Sequence, residues 1–481
     1  MTVLAIDQGT SGTKALVVDP ADGVVAVAEV PVTPVHLPGG GVEQDPEQLL
    51  ASVLEAGRRA VDQAGGRPLR AVALANQGET VLAWDRRTGR PLSQAVVWQD
   101  RRSEALCAER ADAKEWVARR TGLVLDPYFS APKMTWLREN VTRDGVVTTT
   151  DTWLVHQLTG AFVTDASTAS RSLLLGIDAV DWDPELTALF GLDGEELPRI
   201  VACDETVGTT DAFGGQRLPL AGLIVDQQAA LFAEGCLTPG TAKCTYGTGA
   251  FLLAHTGDTA LRSASGLTSS VAWRARGGTP YCVDGQVYTA ASAVRWLQDL
   301  GFVADAADLD QVAASDAAGV LCIPALAGLA APWWRPDATA SLTGMTLSTR
   351  REHLVTAVLQ GIAAQVAEVT GLVAADLGAP LTRLRADGGL TRCATLMQAQ
   401  ADLARMPVDV YSSPHATALG AAAMARLAIE PGLTLEQAVP EWTPGTTYEP
   451  RWSEDRAQDF RARWLAAVDA TAPPRPAGGT V

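Results

Sequence analysis

The fold is decided by the stretch LAIDQGTSGTKALVVD at residues 4–19. An apolar segment, a polar turn rich in glycine, threonine and serine, and a second apolar segment predict a β-hairpin. Glycines in such a turn let the backbone approach a ligand closely, and its N–H groups and hydroxyls can donate to phosphate oxygens. Asp7 can face a magnesium ion from this position. The alternative interpretation is a tight hairpin with an ordinary polar loop.

Length and charge narrow the class of protein. A chain of 481 residues exceeds the size that one hydrophobic core usually serves, so two domains are expected. The formal net charge of −17 argues against binding to nucleic acid or to an anionic membrane surface. We find neither a cleavable leader pattern nor an apolar run of membrane-spanning length, and therefore expect a cytoplasmic protein without membrane insertion.

The seven cysteines give no sign of a metal or disulfide framework. Their number is odd and no two of them form a CxxC pair. This usage is typical of buried thiols in a cytosolic protein.

The first hundred residues alternate predicted strands and helices. Asp45 and Pro46 are the predicted N-cap and first residue of an amphipathic helix. Two apolar segments, LRAVALANQ at 69–77 and AVVWQDRR at 95–102, are predicted strands that end in polar residues. Because ligands of open α/β sheets bind at the carboxyl ends of strands, the residues that end these segments are site candidates.

The second half of the chain partly echoes the first. TAKCTYGTGAFLLAH at 241–255 is again a predicted strand, a glycine–threonine turn and a strand, and LRADGGLTRC at 384–393 adds a third glycine turn. We expect two related lobes that offer phosphate-binding turns to a shared cleft. The tail at 471–481 is rich in proline and glycine and is predicted to be disordered.

Asp226 is the candidate catalytic carboxylate. It follows the apolar strand LAGLIV at 220–225 and begins the motif DQQAA. A carboxylate there can take the proton of a hydroxyl that attacks a phosphoryl group, and Gln227 can orient the substrate. Asp226 as the N-cap of the following helix is the plain structural interpretation, and the two roles are compatible. The P-loop, HExxH and GxSxG motifs are absent from the sequence.

Together these segments resemble the FGGY family of carbohydrate kinases and, within it, the glycerol kinases. The resemblance covers residues 3 to about 430. Besides the opening hairpin and the DQQAA motif, it rests on ANQGETVLAWDRRTGRPLSQAVVWQDRR (75–102), TGLVLDPYFSAPKMTWLREN (121–140), TYGTGAF (245–251), ASLTGMTLSTRREHLVTAVLQ (340–360), DGGLTRC (387–393) and ATALGAAAMA (416–425).

The resemblance implies an α/β fold of two actin-like, ribonuclease-H-like domains with a cleft between them. The expected boundaries are 1–235 for the domain on the substrate and phosphate side and 236–470 for the domain on the nucleotide side. It further implies ATP-dependent phosphorylation of a terminal hydroxyl of a small polyol, with ATP and Mg²⁺ as cofactors.

The resemblance also assigns roles to individual residues. Asp226 is the implied general base, and Asp7 and Asp226 are the implied metal-side carboxylates. The implied substrate pocket comprises Gln77, Gly78, Glu79, Trp98, Tyr128, Asp226, Gln227 and Phe251. The implied nucleotide contacts comprise Thr10, Ser11, Thr13, Lys14, Gly247, Thr248, Ala291, Gly388, Gly389 and Cys393. For the aromatic residues, packing in the core is the alternative, and Lys133 is expected to anchor a loop or an ion pair.

Three positions depart from the family pattern. Glycerol kinases place an arginine before the pocket glutamate, and this chain has Gly78. Loss of that guanidinium predicts either weak use of glycerol or a longer acceptor, such as a four- or five-carbon polyol or a ketose. Cys393 and Ala291 replace an asparagine and a glycine of the nucleotide side and put the affinity for the nucleotide in doubt.

Other classes of function are weighed against a kinase. An actin-like ATPase or chaperone would have no reason to carry the polyol pocket around Glu79, Trp98 and Tyr128. A catalytically inactive sugar sensor is disfavoured because Asp7 and Asp226 are both present. Between a homodimer and a homotetramer the sequence does not decide.

Overall fold

Two central β-sheets, each built around a glycine-turn hairpin, organise the chain. The computed structural model describes residues 1–471. The predicted disordered tail lies outside these residues, apart from Thr471, which ends the last helix.

The strands of the first half are β1 Val3–Gln8, β2 Gly12–Asp19, β3 Gly23–Pro31, β4 Val35–Leu37, β5 Gly41–Gln44, β6 Ala71–Asn76, β7 Val81–Trp84, β8 Ala95–Val96, β9 Val146–Thr149, β10 Val163–Asp165, β11 Leu175–Gly176, β12 Asp181–Trp182, β13 Arg199–Val201, β14 Thr206–Thr210 and β15 Leu218–Val225. Those of the second half are β16 Ala242–Tyr246, β17 Ala250–Gly257, β18 Thr268–Val271, β19 Tyr281–Val287, β20 Leu321–Ile323, β21 Ser341–Thr343, β22 Leu384–Asp387, β23 Val408–Tyr411 and β24 Pro444–Tyr448.

The α-helices of the first half are α1 Pro46–Gln63, α2 Glu104–Glu109, α3 Lys114–Thr121, α4 Ser130–Asn140, α5 Thr150–Thr159, α6 Ala166–Ala169, α7 Pro184–Leu189 and α8 Asp226–Ala233. Those of the second half are α9 Ala291–Asp299, α10 Leu309–Val312, α11 Arg351–Leu377, α12 Ala394–Ala404, α13 Ala416–Ile429, α14 Leu435–Ala438 and α15 Glu454–Thr471. Short 3₁₀ turns lie at Pro38–Gly40, Ala111–Ala113, Ala306–Asp308 and Gly389–Arg392.

The first lobe is built on a six-stranded sheet in the order β3-β2-β1-β6-β15-β14. The predicted opening hairpin is confirmed: β1 and β2 pair antiparallel, with Asp7 opposite Lys14. On its other side β1 pairs in parallel with β6, and β6 pairs in parallel with β15. The carboxyl ends of three parallel strands therefore meet at one edge of this sheet.

The second lobe repeats this plan in a seven-stranded sheet, β18-β19-β17-β16-β22-β23-β24. The hairpin β16–β17 is antiparallel, and β16 continues into the parallel pairs β16–β22 and β22–β23. The echo predicted from the two glycine turns is confirmed, and the third glycine turn follows β22 as predicted.

Local predictions in the first lobe have mixed outcomes. Helix α1 begins at Pro46 as predicted, and the side chain of Asp45 accepts a hydrogen bond from the backbone N–H of Glu47. The prediction of a buried strand at 95–102 is wrong in extent. Only β8 is extended, and it belongs to a separate five-stranded sheet. The chain turns instead, because the N–H of Asp100 donates to the carbonyl of Val97 at 2.9 Å.

Helix α11 runs through the core of the second lobe. By length and hydropathy it could span a membrane, which corrects the expectation that no such apolar run exists. Within its most apolar window, 78% of the residues are buried inside the protein. Burial to this extent is typical of a helix in the core of a folded domain.

The prediction that the seven cysteines are buried thiols is confirmed. All are buried and none forms a disulfide within the described chain. Burial raises the pKa of several of these thiols, Cys107 and Cys236 among them to about 12, so they pack as small apolar groups.

Helix α13 connects the second half of the chain back to the first lobe. Its apolar face packs on a cluster that includes Val3, Ala5 and Ala73 of the first sheet. It also lies against α8, where Gly420 meets the backbone of Ala229. A Cβ at position 420 would stand 1.9 Å from the carbonyl oxygen of Ala229, so only glycine permits this approach.

This contact yields a prediction for Gly420→Ala. The added methyl group must displace α8, so we expect a loss of about 1–3 kcal/mol in the free energy of unfolding, measured by urea denaturation. The matched control is Gly371→Ala in α11, whose Cβ would meet only the flexible end of Arg461 at 3.1 Å. An unchanged stability of Gly420→Ala would show that α8 and α13 are not in close contact.

Candidate active site

A cleft of about 640 Å³ opens between the two sheets, and both halves of the chain line it. Eleven of the residues singled out from the sequence lie in its wall: Thr10, Ser11, Gly78, Glu79, Trp98, Tyr128, Asp226, Gln227, Gly247, Thr248 and Phe251.

Three carboxylates stand at or just beyond the ends of neighbouring parallel strands. Asp7 is in β1, Glu79 follows β6 and Asp226 follows β15. Burial raises the pKa of Asp226 to about 7, and the nearby carboxylates of Asp7 and Glu79 contribute to this rise. Burial likewise raises the pKa of Asp7 to about 6, against the opposing effect of Lys14. Within residues 1–471, neither aspartate forms an ion pair within 4 Å.

Asp226 is the first helical residue of α8, and the N-cap is Val225. Its carboxylate accepts only the N–H of Gln227, at 2.7 Å, among the described residues. The plain interpretation of Asp226 as an N-cap therefore does not describe its position. Its side chain remains partly exposed to the cleft.

Glu79 is held in an uncommon backbone conformation. Its φ of +57° lies in the left-handed region, which is rare outside glycine. Its carboxylate accepts a hydrogen bond from Nε of Arg171 at 2.6 Å. Burial raises the pKa of Glu79, although the charge of Arg171 opposes this rise.

Three aromatic rings form one wall of the cleft. The ring of Trp98 packs edge-on against Tyr128 and Phe251, with centroids 5.5 and 6.0 Å away. Because Phe251 is in β17 of the second lobe, this cluster joins the two lobes. The aromatic residues thus line the cleft as well as packing together.

The first glycine turn is tied to this wall by hydrogen bonds. Nε1 of Trp98 donates to Oγ1 of Thr10 at 2.9 Å, and Thr10 donates to Oε1 of Gln77 at 3.0 Å. Gln77 also donates to Gln44 at 2.8 Å and is 1% exposed. It therefore lies behind the cleft wall. Thr13 is also buried, where its hydroxyl bonds that of Ser52.

The second glycine turn is supported by α9 and by the turn after β22. The N–H of Ala291 donates to the carbonyl of Gly247 at 3.0 Å. Gly388 has a φ of +96°, and a Cβ there would lie 2.5 Å from the carbonyl oxygen of Tyr246, so glycine is required. Neither Ala291 nor Gly388 lines the cleft itself.

The remaining predicted nucleotide contacts also lie outside the cleft wall. Nζ of Lys14 lies 4.0 Å from Glu29. A Cβ at Gly389 would meet no surrounding residue within 4 Å, so this position faces open space. Sγ of Cys393 contacts Asp310 at 3.4 Å and the residue is buried.

The cleft also contains residues that the sequence analysis missed. These are chiefly Arg171, Asp284, Gln286 and Arg295, all in the wall. Arg171 lies in a run of small residues that matches none of the motifs above. Lys243 was also given no role from the sequence. It is fully buried, and its Nζ donates to Oε1 of Gln227 at 2.6 Å. The chain has only four lysines, and this scarcity is the sequence feature that could have drawn attention to Lys243.

Lys133 anchors the loop that carries Tyr128. Its Nζ donates to the carbonyl oxygens of Pro127, Tyr128 and Phe129 at 2.8, 2.6 and 2.5 Å. The side chain is fully buried in α4. The expectation of a loop-anchoring lysine is confirmed.

Comparison with known protein families covers both lobes. The model of the FGGY family of carbohydrate kinases, N-terminal domain, matches residues 2–233. The C-terminal domain model of the same family matches residues 242–429.

Individual relatives match over nearly the full chain. A glycerol kinase of Alkalilimnicola ehrlichii is 43% identical over 97% of each chain. A glycerol kinase of Bordetella parapertussis is 42% identical over 99% of this chain and 98% of its own. Among solved structures, Plasmodium falciparum glycerol kinase with ADP superposes with a TM-score of 0.90 at 30% identity, covering 98% of each chain.

The loop anchor yields a prediction for Lys133→Met. Methionine fills a similar volume but leaves three buried carbonyls without donors, so the free energy of unfolding should fall by at least about 3 kcal/mol in urea denaturation. Lys114→Met, at an exposed lysine of α3, is the matched control and should change little. Equal stability of the two variants would contradict the anchoring role.

Proposed function

The chain belongs to the FGGY family of carbohydrate kinases, and we propose that it transfers the terminal phosphoryl group of ATP to a terminal hydroxyl of glycerol. The proposal rests chiefly on the position and the raised pKa of Asp226. It is a cleft carboxylate without an ion-pair partner among the described residues, and its pKa is raised to about 7. A general base works best when its pKa lies near the operating pH. Since the proposed donor is ATP, which cells make and keep inside, we assign the reaction to the cytoplasm.

Asp226 acts as the general base in this proposal. An acceptor hydroxyl beside it loses its proton to the carboxylate as its oxygen attacks the transferred phosphorus. The ester bond to the acceptor forms, the bond to the leaving nucleotide oxygen breaks, and the proton stays on Asp226. No cation within ion-pair distance stabilises the ionised form of Asp226 among the described residues, which keeps its basicity high.

The pocket walls hold the acceptor for this attack. Glu79 accepts from hydroxyls, and Gln227 is fixed by Lys243 of the second lobe. The rings of Trp98, Tyr128 and Phe251 cover the carbon chain. Fixed partners of this kind lower the entropic cost of reaching the reactive geometry.

The two glycine turns are assigned to the phosphate chain of ATP. Thr10 and Ser11 line the cleft from one side, and Gly247 and Thr248 line it from the other. The donor set of hydroxyls and backbone N–H groups suits phosphate oxygens. Ala291, Gly388 and Gly389 hold or border the second turn, which is consistent with a place beside the nucleotide.

The carboxylates of Asp7 and Asp226 fit the needs of Mg²⁺. No group of three metal-ligating side chains occurs in the described part of the chain. Mg²⁺ commonly binds through one or two carboxylates together with waters and substrate phosphates, so such a group is not required. When bound, the ion would offset the charge that develops on the phosphate oxygens. Asp7, whose pKa is raised to about 6 and which has no ion-pair partner among residues 1–471, is the carboxylate that would hold the ion directly, whereas Asp226 would stay free to take the proton.

The proposal is tested with a panel of acceptors. Release of ADP is measured with ATP and Mg²⁺ over three- to six-carbon polyols, ketoses and gluconate. We expect glycerol to give the highest kcat/KM. If a four- or five-carbon polyol or a ketose is preferred, the acceptor is not glycerol but the longer molecule expected from the presence of Gly78. Absence of turnover with the whole panel would contradict the proposed function.

Asp226→Asn should abolish phosphoryl transfer, since an amide cannot take the proton. We expect kcat to fall by roughly a hundredfold or more, a typical range for loss of a general base. Asp151→Asn is the matched control, because Asp151 is a buried aspartate whose pKa is likewise raised, to about 6, and it lies outside the cleft wall. Substantial turnover by Asp226→Asn, in a protein shown to be folded by ¹H NMR, would refute the base.

The pH dependence of kcat/KM follows from the same group. Because burial raises the pKa of Asp226 to about 7, the protonated form, which cannot act as a base, dominates below that value. We therefore expect kcat/KM to fall about tenfold per pH unit as the pH decreases below about 7. A profile that stays flat down to the usual pKa of aspartate would contradict the assignment.

A further inference from the structure

Arg171 joins the pocket glutamate of the first lobe to an aspartate of the second. It follows α6 in the chain, and its Nε donates to Glu79 at 2.6 Å while its Nη1 donates to Oδ1 of Asp284 at 2.8 Å. Asp284 is in β19 of the second sheet and also accepts from Gln286. The side chain of Arg171 is 6% exposed. One guanidinium thus bridges the two lobes inside the cleft wall.

The second terminal nitrogen of Arg171 is left for a ligand. A guanidinium has five N–H donors in a fixed plane. Within residues 1–471, Nη2 makes no hydrogen bond, and it is not among the fully enclosed polar atoms that lack a partner. Arg171 as a residue lines the cleft.

The rings beside Arg171 fix its plane. Its guanidinium carbon lies 5.2 Å from the ring centroid of Phe129 and 5.8 Å from that of Tyr128. Two carboxylates and two aromatic rings therefore restrict its motion. A donor fixed in this way loses little entropy when it binds a hydroxyl.

Position 78 cannot supply such a donor. Gly78 lines the cleft next to Glu79 but has no side chain, and even a Cβ there would lie 3.0 Å from Cγ2 of Val225. Arg295, the other arginine in the described cleft wall, is exposed on α9 beside the second glycine turn. Arg171 is thus the guanidinium that contacts the pocket glutamate.

We propose that Arg171 is a specificity-determining residue for the acceptor, whose Nη2 donates to a polyol hydroxyl while Glu79 accepts from a neighbouring one. The pair recognises a vicinal diol, because one hydroxyl meets a donor and the next meets an acceptor. Asp284 holds the same guanidinium from the other lobe, so the donor is in place only when the lobes are together. The inference rests on the proposed function and supplies the donor that is absent at position 78.

Arg171→Lys tests the proposal with the charge retained. A lysine cannot bridge both carboxylates and also donate in the plane of the guanidinium. We expect the KM for the acceptor to rise roughly ten- to hundredfold, with the KM for ATP unchanged, because a hydrogen bond to a charged group is lost. Asp284→Asn, which keeps the guanidinium but weakens its hold on the second lobe, should raise the same KM by a smaller factor.

Arg262→Lys is the matched control. Arg262 also joins the two halves of the chain, through Asp178 at 2.7 Å, and does not line the cleft. We expect it to leave both KM values unchanged. If all three variants keep the wild-type KM for the acceptor, or if Arg171→Lys raises the KM for ATP as much as that for the acceptor, the proposal is overturned.

A deoxy acceptor separates this inference from the proposed function. With the wild type, 1,3-propanediol lacks the vicinal pair and should have a higher KM than glycerol. In Arg171→Lys this difference should shrink. If the wild type phosphorylates glycerol and the difference persists in the variant, only the role of Arg171 fails. If the wild type phosphorylates no polyol, the proposed function itself fails.

Discussion

The active-site cleft depends on one constraint: three acidic side chains lie close together at the ends of adjacent parallel strands. Asp7, Glu79 and Asp226 are brought together because β1, β6 and β15 are neighbours in one sheet. Burial raises the pKa of each of them, and other carboxylates nearby add to each rise. Only Glu79 has an arginine in contact within the described residues. The fold thus keeps two carboxylates in a state that favours their binding of a proton or a cation.

The surrounding structure encloses Asp7 and Asp226 without giving either of them an ion-pair partner among the described residues. Helix α13 crosses from the second half to cover the first sheet, and Gly420 lets it approach α8, which begins with Asp226. Lys243 binds the neighbouring glutamine rather than Asp226 itself. Arg171 is drawn to Glu79 and Asp284. Both of these buried cations therefore have partners other than Asp226, and the aspartate is left for the chemistry.

Much of the fold could be predicted because the decisive signals are local. The hairpins around residues 9–11 and 247–249 follow from apolar segments interrupted by glycine, and the start of α1 follows from Asp45 and Pro46. The prediction of a strand over 95–102 was wrong in extent because apolar composition does not reveal a turn. In that turn the N–H of Asp100 donates to the carbonyl of Val97. The packing of α13 on the first lobe could not be predicted, because it depends on contacts between residues far apart in the sequence.

The site was predictable where a residue sits in a motif or at a strand end. Thr10, Glu79, Trp98 and Asp226 line the cleft, whereas Gln77 and Thr13 are buried behind it although they belong to the same motifs. A motif specifies a segment, but the turns within it decide which side chains face the cleft: β6 has ended at Asn76 and Glu79 has a positive φ, while Thr13 already belongs to β2. Arg171 was missed for the converse reason, since its importance arises from contacts with residues 92 and 113 positions away.

The fate of the terminal phosphoryl group of ATP is the most direct test of phosphoryl transfer to glycerol. ATP is incubated with the protein, Mg²⁺ and glycerol, and the products are separated and assigned by ³¹P NMR. We expect the transferred phosphorus to appear as a monoester of a terminal hydroxyl of glycerol. Inorganic phosphate as the sole product besides ADP would contradict phosphoryl transfer to glycerol, since the cleft would then serve an ATPase.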